Sequence, residues 1–468
     1  MAFLLLYGQP DPVRGADHRR ETGVRRISGA WWGARTALAA AALLLAGPVR
    51  AGEVDDLRQL VRDLERRIGD IEQSRGGAAA APAKPAAGWE NGFFVRSGDG
   101  ANTLKLRGLV HADGRIVGDD SDDASTDTFL LRRVRPILEG TVLGSVDFRL
   151  MPELAGSQLD LLDAWADVRF SPALQLRFGK GKTPFGIERL QSASAIRFVE
   201  RALPDNLVPN RDLGLMLHGE LMEKQVSYEI GFFNGVGDGR SGEQDTGRDA
   251  KDAVGRLFVY PLRQVVSGPL QDLGLGIAAS VGRQDGVDGL PMFRSAGRAT
   301  FFRYRGDVLA SGQRVRWSPQ ASWYVGPFGL LAEYVVSDQE IERPGQRDEA
   351  LTNRAWQVAA SWLLTGDNAT YKGVNPSADW VPGRGGSGAL ELDARISQLD
   401  VDDDAFPVFA DRAVSSDRAT AWAVGLNWYW NAQVKLVLTY EQTSFDDGDN
   451  TRDRETERAL LTRLQLAF

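Results

Sequence analysis

Between Lys180 and Asp212 the chain reads KGKTPFGIERLQSASAIRFVERALPDNLVPNRD. Lys180, Lys182, Arg189, Arg197, Arg201 and Arg211 stand there against Glu188, Glu200, Asp205 and Asp212, so the stretch is net positive. A guanidinium presents a planar fork of donors that matches two oxygens of a phosphate or carboxylate at once. Held in a narrow passage with low-dielectric walls, such a surplus of cations lowers the barrier for anions, because the walls focus the field. The chemistry on offer is therefore recognition of small anions, without bond making.

A second set of arginines, Arg107, Arg132, Arg133, Arg135, Arg177 and Arg256, falls mostly in segments where apolar and polar residues alternate. Lys105, Arg107, His111, Asp113 and Arg115 share one parity of residues 103–117, and Leu104, Leu106, Val110, Ala112 and Ile116 share the other. Acidic residues share the polar parity too: Asp113, Glu139, Asp163, Asp167, Glu220, Glu229, Glu391 and Asp393. Any single arginine on such a face is as readily a salt-bridged or solvated residue as a recognition element.

Other chemistries fail on spacing or composition. GKGKT lacks the upstream glycine of a phosphate-binding loop, because that position is Leu176. GVGDGR lacks the third glycine of a dinucleotide loop. His18, His111 and His218 are too scattered for a metal site. With no cysteine there is no disulfide and no thiolate chemistry. A Ser-His hydrolase on the lipid side is disfavoured, since His111 and His218 take the polar parity. The net charge of −8 argues against a nucleic-acid partner. No enzyme, metal or cofactor is expected.

The elements that must position these residues are strands. From Asn102 on, the hydrophobic period is two in about sixteen segments, centred near residues 110, 135, 149, 165, 176, 217, 229, 257, 277, 320, 332, 358, 393, 424, 438 and 463. Tight turns such as WNAQ alternate with long polar loops such as DDSDDASTD and QTSFDDGDNTRDRETE. Trp and Tyr recur at the ends of the apolar face, and charges occupy the other face of nearly every strand. A β-sandwich alternates too, but has no reason to do either. A transmembrane barrel requires both, with an apolar band between aromatic girdles outside and a wet lumen inside. The expected fold is all-β, a 16-stranded antiparallel transmembrane barrel over residues 92–468, wide enough for an aqueous channel. The chain ends ALLTRLQLAF, an alternating strand that runs to Phe468. That aromatic is expected to face lipid where the last strand meets the first, and to serve as the signal read by the barrel assembly machinery.

Ahead of the barrel, TALAAAALLLAG follows Arg25, Arg26 and Arg35 and ends in Val49-Arg50-Ala51. This is a secretory signal peptide with an extended n-region, residues 1–51. Val54, Leu57, Val61, Leu64, Ile68 and Ile71 are spaced 3, 4, 3, 4 and 3 apart, a heptad pattern that predicts a short coiled-coil helix over 52–75. An Ala/Pro/Gly linker, 76–91, follows. The expected location is the outer membrane of a Gram-negative cell, with the helix in the periplasm.

LRRVRPILEG, LQLRFGKGKTPFGIE, FVERALPDNLVPNRDLGLMLHG, LLTGDNATYK, GALELDARIS, AVGLNWYWNAQVKLVLTYEQ and the final RLQLAF occur in that order. In these pieces the chain resembles the phosphate- and pyrophosphate-selective porins from about Leu104 to Phe468. The resemblance implies a trimeric sixteen-stranded porin whose loop after the fifth strand, here Lys180–Asp212, folds inward as a constriction. It places paired wall arginines at Arg132 and Arg133 and a single one at Arg256. Of the family's loop lysine cluster, Arg189 matches one position and the next falls at Ser194 or Ala195. The implied partners are phosphate and pyrophosphate, outer-membrane lipid and lipopolysaccharide, the assembly machinery and two further copies of the chain. The alternatives are a general diffusion porin for small nutrients and a plugged structural barrel.

Overall fold

The computed structural model describes residues 84–468, apart from 119–126, 157, 243–248, 250, 266, 288–289 and 447–453, together with Gln59, Arg62, Asp63 and Arg66, which are helical. The expected leader and the heptad positions Val54, Leu57, Val61, Leu64, Ile68 and Ile71 lie outside the described residues.

Alternating residues become strands because period-two patterning gives each strand one face for lipid and one for the lumen. A short hairpin, β1 (Ala86–Trp89) and β2 (Phe93–Arg96), comes first, so strand begins within the expected linker. The wall opens with β3 (Thr103–Gly118), β4 (Thr128–Val142), β5 (Val146–Glu153), β6 (Asp160–Ser171) and β7 (Leu174–Lys182). It continues through β8 (Arg211–Leu221), β9 (Val226–Phe233), β10 (Asp252–Val259) and β11 (Leu273–Val287). A two-stranded insert, β12 (Phe293–Arg294) and β13 (Thr300–Phe302), precedes β14 (Leu309–Val325), β15 (Phe328–Glu342) and β16 (Glu349–Leu363). β17 (Ala389–Asp400), β18 (Arg418–Tyr429), β19 (Val434–Asp446) and β20 (Glu457–Ala467) complete the wall. Each wall strand pairs antiparallel with its neighbours, and β20 pairs with β3 from Arg458↔Gly118 to Ala467↔Leu109. The result is a closed barrel of sixteen strands, the fold expected from the pattern.

The outer surface carries the apolar parity. Leu392, Ile396, Val424, Leu426, Leu436, Leu438, Leu464 and Leu466 are all exposed. Aromatic pairs bracket this band, Trp317–Tyr334 and Trp422–Tyr440 toward one end and the stacked Phe328–Trp362 toward the other. No helix among the described residues is long and apolar enough to cross a membrane, and the strands supply the crossing.

The seam has its own construction. β20 covers only part of β3, and β2 takes over the same edge from Phe93↔Leu106 to Arg96↔Thr103. Phe468 sits at the junction, exchanging backbone hydrogen bonds with Gly108 at 2.7 and 2.9 Å. Its ring lies over Gly108 and stacks on Trp89 at 6.1 Å.

Two long segments fold toward the inside. Residues 183–210, between β7 and β8, carry a one-turn helix α1 (Ile187–Leu190). Residues 364–388, between β16 and β17, lie at the end of the barrel where most other turns are short. At the opposite end, Phe293, Phe301 and Phe302 of the two-stranded insert form an apolar cluster with Ala405, Phe409 and Ala410 of the loop before β18.

Candidate functional site: the charged lumen

Most of the bonds that fix the inward loop run to one side of the wall. Ile187 donates its backbone N–H to Glu333 at 3.0 Å, and Gln357 donates to Glu188 at 2.9 Å. Arg395 spans Glu441 at 2.6 Å, Glu188 at 3.5 Å and the Glu200 carbonyl at 3.0 Å. Lys435 donates to the Ile196 carbonyl at 2.8 Å, and Asn427 to that of Arg197 at 2.9 Å. From the far end, Tyr371 donates to the Ile187 carbonyl and accepts, through its own carbonyl, from Gln191. The loop thus lies against β15–β20, and the polar inner faces of those strands are buried beneath it.

The six cations of the Lys180–Asp212 stretch have different duties: Lys180 and Lys182 end β7, Arg211 opens β8, and Arg189, Arg197 and Arg201 lie in the loop itself. Lys182 donates to the carbonyls of Arg189, Leu190 and Gln191 at 2.7, 3.1 and 2.8 Å, spending its three donors on carbonyls that the end of α1 leaves open. Arg197 is buried against Glu391 at 2.9 Å and Asp393 at 3.6 Å. Arg211 pairs with Asp163 at 2.7 Å, and Lys180 stands 3.6 Å from Asp160. Arg189, bonded to Asp205 at 2.6 Å, and Arg201 are the two that line an open chamber.

That chamber has a volume of about 420 Å³. Arg132, Arg189, Arg201, Arg240, Arg294 and Arg298 line it against Glu200, Asp205 and Asp238, a net surplus of three positive charges. The guanidinium groups of Arg294 and Arg298, from the insert after β11, form no ion pair or hydrogen bond among the described residues, although the Arg294 backbone is bonded to the Asn206 side chain. Glu200 is shared by Arg132 at 2.8 Å and Arg115. Burial would push its carboxyl up, but the charges of Arg132, Arg133 and Arg463 and the Arg132 hydrogen bond hold it well below the usual carboxylate range. It is a fixed anion that leaves part of the cationic surplus unspent.

A β-bulge explains how neighbouring arginines both reach the lumen. His111 opposes Arg133 while Ala112 opposes Leu131, so Arg132 is the extra residue of β4. Arg132 turns to Glu200, and Arg133 donates to His111 Nδ1 at 3.0 Å. Because Nδ1 must accept from the guanidinium, the ring's proton sits on Nε2 and is donated to Gln465 at 2.9 Å. Arg135 pairs with Glu153 at 2.7 Å, Arg107 with Glu139 at 3.1 Å, Arg177 with Asp167 at 2.7 Å and Arg256 with Glu229 at 3.2 Å.

A second cavity, about 450 Å³, opens at the end where Phe468 lies. Lys105, Arg107, Lys372 and Lys435 line it with asparagines and glutamines and no acidic side chain. Arg240, Arg298 and Lys372 in loops and Arg294 in the two-residue β12 escape sequence reasoning, because such short pieces have no periodicity to tell which way a side chain turns.

The family model for the phosphate-selective porins O and P matches residues 104–468. Porin O of Pseudomonas aeruginosa is 24% identical over 416 residues, covering 81% of this chain and 91% of that protein. A protein of Caulobacter vibrioides is 25% identical over 428 residues, covering 84% of this chain and 80% of its own length. Among solved structures, OprB of Pseudomonas putida superimposes with a TM-score of 0.50 at 11% identity, over 79% of this chain and 95% of that one, a likeness of fold. The match spans every wall strand and both charged cavities, and the chain belongs to the phosphate-selective porin O and P family.

Proposed function

We infer that the protein is a passive, water-filled outer-membrane channel that prefers small anions such as phosphate and pyrophosphate. The observation that carries this is the chamber of six arginines and three carboxylates inside a closed barrel. Its surplus charge draws anions in, and forked guanidiniums replace part of their hydration. The family's description and the relative named Porin O agree with that direction. The inward loop sets the size limit; Arg189 and Arg201 line the chamber and, like Lys182, Arg197 and Arg211, also hold the loop's shape. The same reading takes the working form as a homotrimer among outer-membrane lipid and lipopolysaccharide. It assigns Phe468 to recognition by the barrel assembly machinery, and the N-terminal heptads to a periplasmic coiled coil.

A general diffusion porin is the second reading. It is favoured by the pairing of wall arginines with carboxylates, as in Arg107–Glu139, Arg135–Glu153 and Arg177–Asp167. Titrating inorganic phosphate into a chloride current across a planar bilayer separates the two. Selective passage predicts that phosphate reduces the current saturably at concentrations far below that of chloride. An unreduced chloride current supports the general porin, and the absence of any current overturns both.

A further inference from the structure

The inner wall is not evenly wet. The side chains of Arg107, Arg149 and Arg177, on β3, β5 and β7, are 34%, 32% and 31% exposed, whereas those of Glu391 and Arg395 on β17 are 0% and 1% exposed. The inward loop covers the β15–β20 side, and these exposed arginines stand on the opposite wall. On that wall, midway along β6, a tryptophan faces the lumen: Trp165 has the parity of Asp163 and Asp167, whose carboxylates bind inward arginines. Arg149 is its register partner on β5, with Cζ 5.6 Å from the ring centre. Arg177 from β7 lies over the ring at 4.3 Å.

β7 is built to leave this indole clear. Its register partner there is Gly179, at φ +116, where an added Cβ would strike the Ala164 carbonyl. At Gly181 a Cβ would come within 3.2 Å of the indole Cδ1. Each guanidinium is held from one side only. Glu139 accepts from Nε and Nη2 of Arg149, and Asp167 from Nε and Nη2 of Arg177. Nη1 of Arg177 and the indole Nε1 of Trp165 have no hydrogen-bond partner among the described residues, and Nη1 of Arg149 has only Asp163 at 3.9 Å.

We propose that Arg149, Trp165 and Arg177 form an oxyanion station on the open wall of the channel, with Trp165 as a selectivity residue whose indole N–H donates to the passing solute. The two carboxylates orient the guanidiniums, and the ring fixes their spacing through cation–π contact. The free N–H groups are donors only, so the station receives phosphate or carboxylate oxygens. This extends the anion-channel reading and rests on it.

The test is the same phosphate titration on Trp165→Phe, which keeps a ring under the guanidiniums and deletes the N–H. The expected result is an increase in the half-blocking phosphate concentration on the order of tenfold, the worth of one hydrogen bond to a charged group. Should that variant yield no channels, Arg177→Gln is read in its place, with the same expectation. Wild-type block with an unchanged half-blocking concentration in the variant overturns the station and leaves the channel reading standing. If phosphate fails to block the wild type, the anion-channel reading itself falls, and the station with it.

Discussion

Arg197 shows how far a residue's type can stand from its duty. Its charge suggests an ion site, yet its guanidinium is buried between Glu391 and Asp393 and its carbonyl receives Asn427. Burial acts against its charged form, but Glu391 and the other acidic neighbours raise its pKa above the usual arginine value. Removing one partner of a buried ion pair leaves the other charge uncompensated, at a cost of about 3–5 kcal/mol. Arg197→Ala is therefore expected to lower the thermal midpoint of the folded barrel by much more than Arg294→Ala, which breaks no pair. Circular dichroism melts in detergent read this directly, and equal midpoints would show that the loop does not depend on the Arg197 pair.

Elements were the most legible level of this chain. Every one of the sixteen segments marked by period-two alternation overlaps a wall strand, because a wall with lipid on one side and water on the other imposes that period over its whole length. β1 falls in the expected linker because AAGW carries no alternation, and only its pairing with β2, which continues the edge of β3 beyond the end of β20, makes it strand. The bulge at Arg132 is likewise silent in sequence, since strict alternation would send Arg132 and Arg133 to opposite faces. The cation-rich loop was legible as a charged segment, but which charges face water is decided by packing against β15–β20, which composition does not encode. The seam offers a test at this scale. A Cβ at Gly108 would come within 2.5 Å of the Phe468 ring, so the ring must leave both Gly108 and Trp89. Gly108→Ala is expected to cost about 1–3 kcal/mol in strain and to reduce the fraction of heat-resistant folded barrel on gels. An undiminished folded fraction would mean that the seam tolerates the ring elsewhere.

Over the whole molecule, acidic residues outnumber basic ones, and the net charge is −8. The lumen inverts this locally, with a surplus of three positive charges in one chamber and a cavity lined by no acidic side chain at the other end. Conduction depends on the local field, because exposed charges on the outer loops are screened over about 10 Å at ordinary salt. The guanidinium groups of Arg294 and Arg298 contribute to that field without an ion pair or hydrogen bond among the described residues, which makes them the cleanest handle on it. The most direct measurement is the reversal potential across a planar bilayer under a KCl gradient, for the wild type and for the double variant Arg294→Glu, Arg298→Glu. The account predicts a chloride preference in the wild type, and in the double variant a shift toward cations with the folded barrel intact. A cation-preferring wild type, or a potential that the two substitutions leave unmoved, would contradict it.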